Sequence, residues 1–468
     1  MKETFVMVRD MTRGSVTKAV FTFFLSYAIS SILSYLYSTT DAIMVGRFVG
    51  QNALGAISAI IPIVTVVESF ISSTISGFAI ITAKKFGEGE LKVLSKIMAN
   101  SVLVVLIVGI PISVGLFLLT DPMLAIMNVS QSFTQSAKDY YTLSTLFMCI
   151  RFINALLSNM LRSLGDNRNP VLISICCGAM NVFFNYLFMG IIPLGVAGAA
   201  LGTVCSSLLG MVIYYIVIMK KMPLLRFKLT DMKFDISILK MLLISGIPLG
   251  LLSSITAIGS TILQRTVNGF SDSVVTGIST GNKMLSLIWT ILFSFESTVV
   301  FFASQNYGAG KIDRIKKSLK IALIFTCACG GICTLIFVFA GEPVCRIFLG
   351  EGNDSVTIET IRYAREYLLT QIAVFPFMAA LCSFRGTVKG LGVTGPIVIC
   401  GILELISRLC VSLISTYAPL SIDMKLDVLY LAGPLAWVIT DIFLIFLYVY
   451  RIKKIKNVTE NKEYECAI

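Results

Sequence analysis

IMANSVLVVLIVGIPISVGLFLL, residues 97–119, runs for 23 residues without a charged side chain. Coiled as an α-helix at 1.5 Å per residue, such a run reaches about 35 Å, enough to cross the roughly 30 Å of hydrocarbon in a bilayer. Lipid has no hydrogen-bonding capacity, so a spanning segment must satisfy its own backbone, as a helix or in a closed β-barrel. The run is continuously apolar and lacks the alternation of a barrel strand, which selects the helix.

Moving outward, runs of the same kind recur over 17–43, 51–81, 137–160, 170–190, 196–219, 238–268, 274–303, 319–340, 360–383, 394–416 and 428–450. With 97–119 they make about twelve predicted transmembrane helices, an all-α integral membrane protein. Composition agrees: 56% of residues are hydrophobic, 14% are charged, and mean hydropathy is +0.87, where soluble domains carry about 25% charge. The first run is long, lacks an A-x-A-like cleavage site and leads directly into further spans, so it reads as a helix and not as a cleaved leader.

A net charge of +12 raises the question of nucleic acid, but its placement answers otherwise. With both termini inside, the cytoplasmic segments gather most of the Lys and Arg, including Lys2, Arg9, Arg13 and Lys18, Lys84 to Lys96, Arg162 and Arg168, Lys220 to Lys240, Lys311 to Lys320, and Arg451 to Lys462. The opposite loops hold Arg47, Lys138, Arg346, Arg362, Arg365 and Lys425. That asymmetry is the positive-inside rule, and it places an even number of spans in a cytoplasmic membrane with both ends in the cytoplasm. The bilayer is the expected partner; neither nucleic acid nor an obligate protein partner is indicated. The chain has no histidine, and its 12 cysteines fall mostly within the apolar runs as small hydrophobic residues. No metal site is expected, nor a catalytic cluster of the soluble-enzyme kind.

The chain also repeats itself. A shift of 221 residues brings Lys84-Lys85-Phe86-Gly87-Glu88-Gly89 onto Gln305-Asn306-Tyr307-Gly308-Ala309-Gly310, glycine on glycine, and Ala56-Ile57-Ser58 onto Gly277-Ile278-Ser279. Leu164-Gly165 followed by Pro170 matches Leu391-Gly392 followed by Pro396, with a one-residue gap between the halves. A shift of six spans keeps each loop on its own side of the membrane, so the halves are parallel repeats. The predicted organisation is an N-terminal six-helix lobe over 1–219, a cytoplasmic linker over 220–235, a C-terminal six-helix lobe over 236–452 and a cytoplasmic tail over 453–468.

Ionisable groups inside spans cost at least about 2.5 kcal/mol each, which makes every one a functional candidate. Ser30, Ser34, Tyr37 and Asp41 share one face of the first span, and Ser174, Gly178, Asn181 and Asn185 repeat that spacing on the fifth. Facing a common cavity, these stripes would hold Asp41 partly out of water, where it could gain and lose a proton in a working cycle. Otherwise Asp41 is an interfacial carboxylate near Arg47, and the asparagines join helices by hydrogen bonds. Thr203 can offer a hydroxyl from the sixth span, and Asn154 and Ser158 share a face of the fourth. Glu68, near mid-span without an evident cation, is a candidate for attracting cations to a cavity. In the C-terminal half, Glu296 and Met284 are further cavity candidates, with Trp289, Phe293, Phe295 and Phe375 as adaptable walls; Met and aromatic residues in spans are more often core or lipid-facing, which is the other reading of these five. Glu404 and Arg408, four residues apart, form a potential ion pair on one helix.

Asp41 to Gly50 followed by Ala53-Leu54-Gly55-Ala56 resembles the first-to-second-span signature of the multidrug and toxic compound extrusion (MATE) family. So do Leu161 to Asp166 with Pro170, Asn181-Val182-Phe183-Phe184-Asn185, Gly195 to Thr203, and Gln305 to Lys311, and the match is closest to the DinF-like branch of this superfamily. The resemblance implies a secondary antiporter in which an inward cation gradient, H⁺ in preference to Na⁺, drives export of amphipathic organic cations and other drug-like compounds. No other cofactor is implied. By motif, Asp41 matches the coupling carboxylate, and Tyr37, Asn181 and Thr203 its polar neighbours. The chain departs from the family at Asn185, often Asp, at Ser26, where the first span often has a proline, and at Thr256, where the NorM-like branch has a Glu. A lipid-linked oligosaccharide flippase of the same superfamily is the alternative, with Arg151, Arg265 and Arg408 as groups for a pyrophosphate; an integral membrane enzyme is the reading from another class.

Overall fold

A computed structural model describes residues 10–126, 134–228, 232–349 and 355–467; Lys2 and Arg9 of the expected cytoplasmic charges lie outside them, as do the side chains of Lys462 and Cys466. Among the described residues there is no strand, and the chain runs as helices joined by short connections. The helices are α1 (Val16–Phe48), α2 (Gln51–Gly87), α3 (Leu91–Leu118), α4 (Thr120–Ile126), α5 (Thr134–Leu146), α6 (Met148–Ser163), α7 (Arg168–Asn185) and α8 (Val196–Lys221). They continue as α9 (Ile236–Val267), α10 (Asp272–Gly308), α11 (Ile312–Leu349), α12 (Ser355–Ala373), α13 (Phe375–Gly390), α14 (Val398–Tyr417), α15 (Ile422–Tyr430) and α16 (Ala432–Ala467). Among the described residues ten helices are long and apolar enough to cross a membrane, and two bent pairs, each counted as one span, bring the number to twelve.

Those pairs are the fourth and tenth expected spans, each broken near its middle. Thr134–Leu146 meets Met148–Ser163 at 46°, and Val356–Ala373 meets Phe375–Gly390 at 52°. The linking residues, Phe147 (φ −98°, ψ 12°) and Val374 (φ −105°, ψ 10°), have nearly the same backbone. They are also repeat equivalents in the register that carries Leu164 onto Leu391. Pro376, in the first turn of α13, lacks an N–H and suits the break in the C-terminal pair. Its counterpart carries none, so the kink belongs to the repeated scaffold more than to the proline. Gly165 (φ 83°) and Gly392 (φ 74°) then close the two spans in the left-handed region that only glycine enters cheaply.

Close contacts divide the chain into two compact units, Met1–Gly250 with Ser304–Lys311, and Leu251–Ala303 with Ile312–Ile468. The divisions fall inside α9 and α10 and at the start of α11. α8 ends at Lys221, a 3₁₀ turn covers Pro223–Leu225, and α16 continues as helix to Ala467.

In the first unit, Ile71, Ile75 and Phe78 of α2 pack with Leu94 and Ile97 of α3, Phe152, Leu156 and Met160 of α6, and Tyr214 of α8. The ends of α2 and α10 are knitted by the repeat itself. A Cβ on Gly87 would stand 2.0 Å from the Gln305 carbonyl oxygen, and one on Gly308 would stand 2.1 Å from that of Lys84. Lys84 and Gln305 are repeat equivalents, as are the two glycines, so the ends of α2 and α10 cross backbone to backbone in a reciprocal contact. The N-terminal segment docks on the same turn. The Met11 amide donates to Gln305 Oε1 (3.0 Å), Asn306 Nδ2 to the Met11 carbonyl (3.2 Å) and Lys311 Nζ to the Thr12 carbonyl (2.8 Å). Gln305 Nε2 donates to the Ser163 carbonyl at 2.8 Å.

In the second unit, Val267, Val274, Ile278, Tyr363, Leu426, Leu429 and Tyr430 form one buried cluster. Large apolar side chains such as Leu25, Leu118, Ile324, Phe339, Ile442 and Phe446 stay exposed on the helix exteriors, a surface suited to lipid tails.

Candidate functional site

Asp41 sits in the last third of α1, half-buried, where α7 and α8 approach. Asn185 Nδ2 donates to Asp41 Oδ1 and to Asn181 Oδ1 (3.0 Å), Thr203 Oγ1 to Asp41 Oδ2 (3.3 Å), and Asn181 Nδ2 to Thr203 Oγ1 (3.5 Å). The two asparagines are fully buried. Their spacing of four residues stacks them on one face of α7, and a turn of π-helix over Tyr186–Ile191 follows directly, the type of irregularity that gathers at functional sites. Gly202 of α8 makes room, since a Cβ there would stand 2.1 Å from Asn185 Oδ1. The carboxylate is thus ringed by neutral donors, and Asn185 supplies an N–H that an ionised Asp could not.

Two cavities adjoin this cluster, with Tyr37 bordering both. One, about 320 Å³, is lined by Asp41, Tyr37, Thr203, Glu68, Tyr140 and Arg151. Glu68 is not without a cation as the sequence suggested: Arg151 Nη1 lies 2.5 Å from Glu68 Oε1. The two residues lie on α2 and α6, and spacing along one helix says nothing of what packs against it. The second cavity, about 360 Å³, is lined by Ser34, Asn154, Ser158, Ser174, Gly178, Ser206, Tyr214 and Arg162 among others. The polar stripes of the first and fifth spans therefore meet on shared walls. Ser30, by contrast, is buried with no hydrogen-bond partner for its hydroxyl.

The second unit carries its polar groups differently. Glu296, expected on a cavity wall, is 6% exposed and held from two sides. Arg385 grips it through Nε (3.0 Å) and Nη2 (2.8 Å), and Lys389 Nζ lies at 2.7 Å. Glu404 and Arg408 stand 3.7 Å apart, and Glu404 also faces Arg385 at 3.5 Å. Thr256 Oγ1 donates to Glu404 Oε2 at 3.4 Å, so α14 brings a carboxylate to the place where α9 has Thr256. Asp441 is buried and neither carboxyl oxygen has a hydrogen-bond partner.

A cavity of about 370 Å³ in this unit is lined by Thr256, Asn282, Trp289, Phe293, Tyr367, Arg408 and Trp437. Met284 does not line it; at 4% exposure its side chain belongs to the interior. Phe295 is buried and stacked on Phe325, and Phe375 packs against Gly330. Sequence reasoning missed Tyr140, Arg162, Asn282, Tyr367 and Trp437. Neighbouring Trp289 was legible because soft aromatic residues clustered near it, whereas Tyr367 and Trp437 reach the same wall from distant helices.

The chain matches the MatE family model over residues 27–187 and 248–414, one match in each half. It is 24% identical over 387 residues to "Probable multidrug resistance protein YpnP" of Bacillus subtilis, covering 82% of this chain and 84% of the relative. It is 22% identical over 338 residues to "FAD transporter" of Shewanella oneidensis, covering 70% and 72%. Among solved structures, an outward-facing multidrug resistance MATE transporter of the MOP superfamily superposes with a TM-score of 0.85 at 18% identity over 97% of this chain and 99% of that one, a likeness of fold. Twelve spans, the internal repeat and a family match in both halves lead to one conclusion: the chain belongs to the MatE family of polytopic membrane transporters.

Proposed function

We propose that the protein is an H⁺-driven antiporter of a bacterial or archaeal cytoplasmic membrane, both termini cytoplasmic, that exports amphipathic organic compounds, organic cations among them. The observation that carries this reading is the setting of Asp41: a half-buried carboxylate on a cavity wall, hydrogen-bonded by Asn185 and Thr203 with no cation among the described residues joined to it. Proton uptake there cancels the formal charge of the cluster and turns one carboxylate oxygen into an O–H donor, so the Asn185 or Thr203 donor that faces that oxygen has to find another acceptor. That exchange changes the affinity of the adjoining cavities and biases the rocking of lobes 1–219 and 236–452 about the 220–235 linker, because a ligand shifts an equilibrium only through differential affinity. Sodium would need several oxygen ligands at short range, and Asn185 turns its nitrogen toward Asp41. The relatives' names, for multidrug resistance and for FAD, support an organic solute as cargo. A lipid-linked oligosaccharide is less well served, since Arg151 and Arg408 are each engaged by a carboxylate.

Reconstituted full-length protein should expel a cationic dye under an imposed proton gradient and not under a sodium gradient alone. Asp41→Asn should abolish that efflux with normal insertion; coupling retained in this variant removes Asp41 from the mechanism.

A further inference from the structure

The 360 Å³ cavity of the first unit contains a buried cation that no acid among the described residues neutralises. Arg162, at the end of α6, is 9% exposed and lines the cavity with Ser34, Asn154, Ser158, Ser174 and Tyr214. Its guanidinium lies over the Tyr27 ring, 4.1 Å from the centroid, and its Nε has no hydrogen-bond partner. Among the described residues it forms no ion pair, and no Asp or Glu lines the cavity. The acid nearest in sequence, Asp166, is committed elsewhere: it accepts from the amides of Arg168 (3.1 Å) and Asn169 (3.2 Å) and from Asn169 Nδ2 (2.5 Å), capping α7. A stacked tyrosine offsets part of the desolvation of a guanidinium, but buried charges are ordinarily paired.

The other half of the chain shows how this scaffold pairs them. In the repeat register, Arg162 corresponds to Lys389, and Lys389 binds Glu296 at 2.7 Å. The counterpart of Glu296 is Ile75, and the counterpart of Glu404 is Gly178, which lies on the wall of the Arg162 cavity. Both carboxylates that neutralise the C-terminal cations are therefore missing from the N-terminal half; Arg385 and Arg408 are replaced there by Ser158 and Val182, and of the three cations only the counterpart of Lys389, Arg162, is retained. The unused donor capacity of a guanidinium, five N–H groups in a planar fork, suits a carboxylate or phosphate, and hydroxyls and amides around it can complete the shell.

We propose that this cavity is an oxyanion subsite, in which Arg162 holds the carboxylate or phosphate group of a transported amphiphile. The assignment rests on the reading of the protein as an exporter of organic solutes. It adds that cargo bearing an anionic group, zwitterions included, is preferred over its purely cationic analogue.

The test is equilibrium binding to purified full-length protein in a neutral detergent, with no ion gradient. The probes are tetramethylrhodamine, which carries a free carboxylate, and its methyl ester, which does not. The wild type should bind the carboxylate form roughly tenfold tighter at low salt, the scale of one charge-assisted hydrogen-bonded contact. Arg162→Gln should bring the two affinities to within about twofold, and Arg162→Lys should retain part of the preference. Ile75→Glu, which restores the acid found in the other half, should erase it as well and gives a second route should Arg162→Gln not purify as a monodisperse species. No preference in the wild type, or an unchanged one in both charge-removing variants, overturns the proposal. Displacement of the carboxylate dye by added phosphatidylglycerol in the wild type assigns the oxyanion to a lipid headgroup and overturns its assignment to cargo. Because no gradient is present, failure of proton coupling at Asp41 leaves this result unaffected, and the reverse holds equally.

Discussion

The reciprocal crossing of α2 and α10 makes a prediction that tests the repeat as a physical object. Placing a methyl group on Gly308 brings it to 2.1 Å from the Lys84 carbonyl oxygen, and on Gly87 to 2.0 Å from that of Gln305. Carbon and oxygen need roughly 3.3 Å, so each substitution must part the helix ends by about 1 Å. The obstacle is backbone in both cases, and no rotamer change can relieve it. Overpacking of this kind costs about 1–3 kcal/mol, and the near-equal distances imply near-equal costs for Gly87→Ala and Gly308→Ala. The two contacts belong to one crossing, so the separation forced by the first methyl also admits the second. The double variant should therefore lose clearly less stability than the two single losses added together, with a coupling of about 0.5–3 kcal/mol. The measurement is thermal unfolding of the full chain in detergent, followed by loss of the monodisperse elution peak, for the wild type, both singles and the double. If one glycine tolerates alanine freely while the other does not, or if the losses simply add, the crossing is not the paired contact described.

Further predictions concern charge, strain and the N-terminal segment. Glu296→Gln should destabilise the protein by about 3–5 kcal/mol, since it leaves Arg385 and Lys389 buried beside a neutral group; a melting temperature equal to the wild type would show that water or another acid compensates. Gly50→Ala, at φ 113°, should cost about 1–3 kcal/mol despite open space around the new methyl, because the strain is in the backbone; detergent melting decides it. Burial raises the Asp166 carboxyl above its ordinary value despite the donors around it, so the folded state holds that proton more tightly than the unfolded chain does. The stability this lends is fully present below the unfolded value and is lost as pH rises through the folded one, so the difference in melting temperature from Asp166→Asn should change over that acidic window; a difference independent of pH contradicts the assignment. Gln305→Ala removes acceptor and donor from the Met11 and Ser163 contacts together and should leave residues 10–13 open to protease, which limited proteolysis would report.

The fold was legible because lipid leaves few options: an uncharged run of adequate length has to be a helix, and its charged flanks orient it. The break at Phe147 was not legible, since neither proline nor glycine marks it, and it shows only against Val374 in the other half. Site residues on one helix face were read correctly as neighbours: Ser34 with Tyr37 and Asp41, and Asn181 with Asn185. Contacts between helices distant in sequence were not read, because spacing along a helix says nothing of what it packs against. Glu68 thus looked solitary although Arg151 lies beside it, and Glu296 looked like a cavity wall although two cations hold it; Met284, a candidate for lining or for core, is core. Arg162 was counted with the cytoplasmic charges because it falls near a span end; only its burial and its unpaired state set it apart.

The two halves share a scaffold and divide their charges unequally, and that division bears on where coupling can occur. Adding a proton to Glu296 would leave Arg385 and Lys389 facing a neutral group in a buried site, and adding one to Glu404 would unbalance Arg385 and Arg408 in the same way. Around Asp41 the donors are the amide of Asn185 and the hydroxyl of Thr203, both able to rotate toward other acceptors, so no counter-charge is left behind when the carboxylate is neutralised. Asp441 is the exception within the C-terminal half, buried and without a hydrogen-bond partner on either oxygen, and it supplies the decisive comparison. In proteoliposomes under a proton gradient, Asp41→Asn should abolish dye efflux, whereas Asp441→Asn should leave a gradient-dependent rate of the same order as the wild type. The opposite pattern, coupling lost at Asp441 and kept at Asp41, would move the proton site to α16 and refute the argument that a carboxylate among neutral donors is the one free to change its charge.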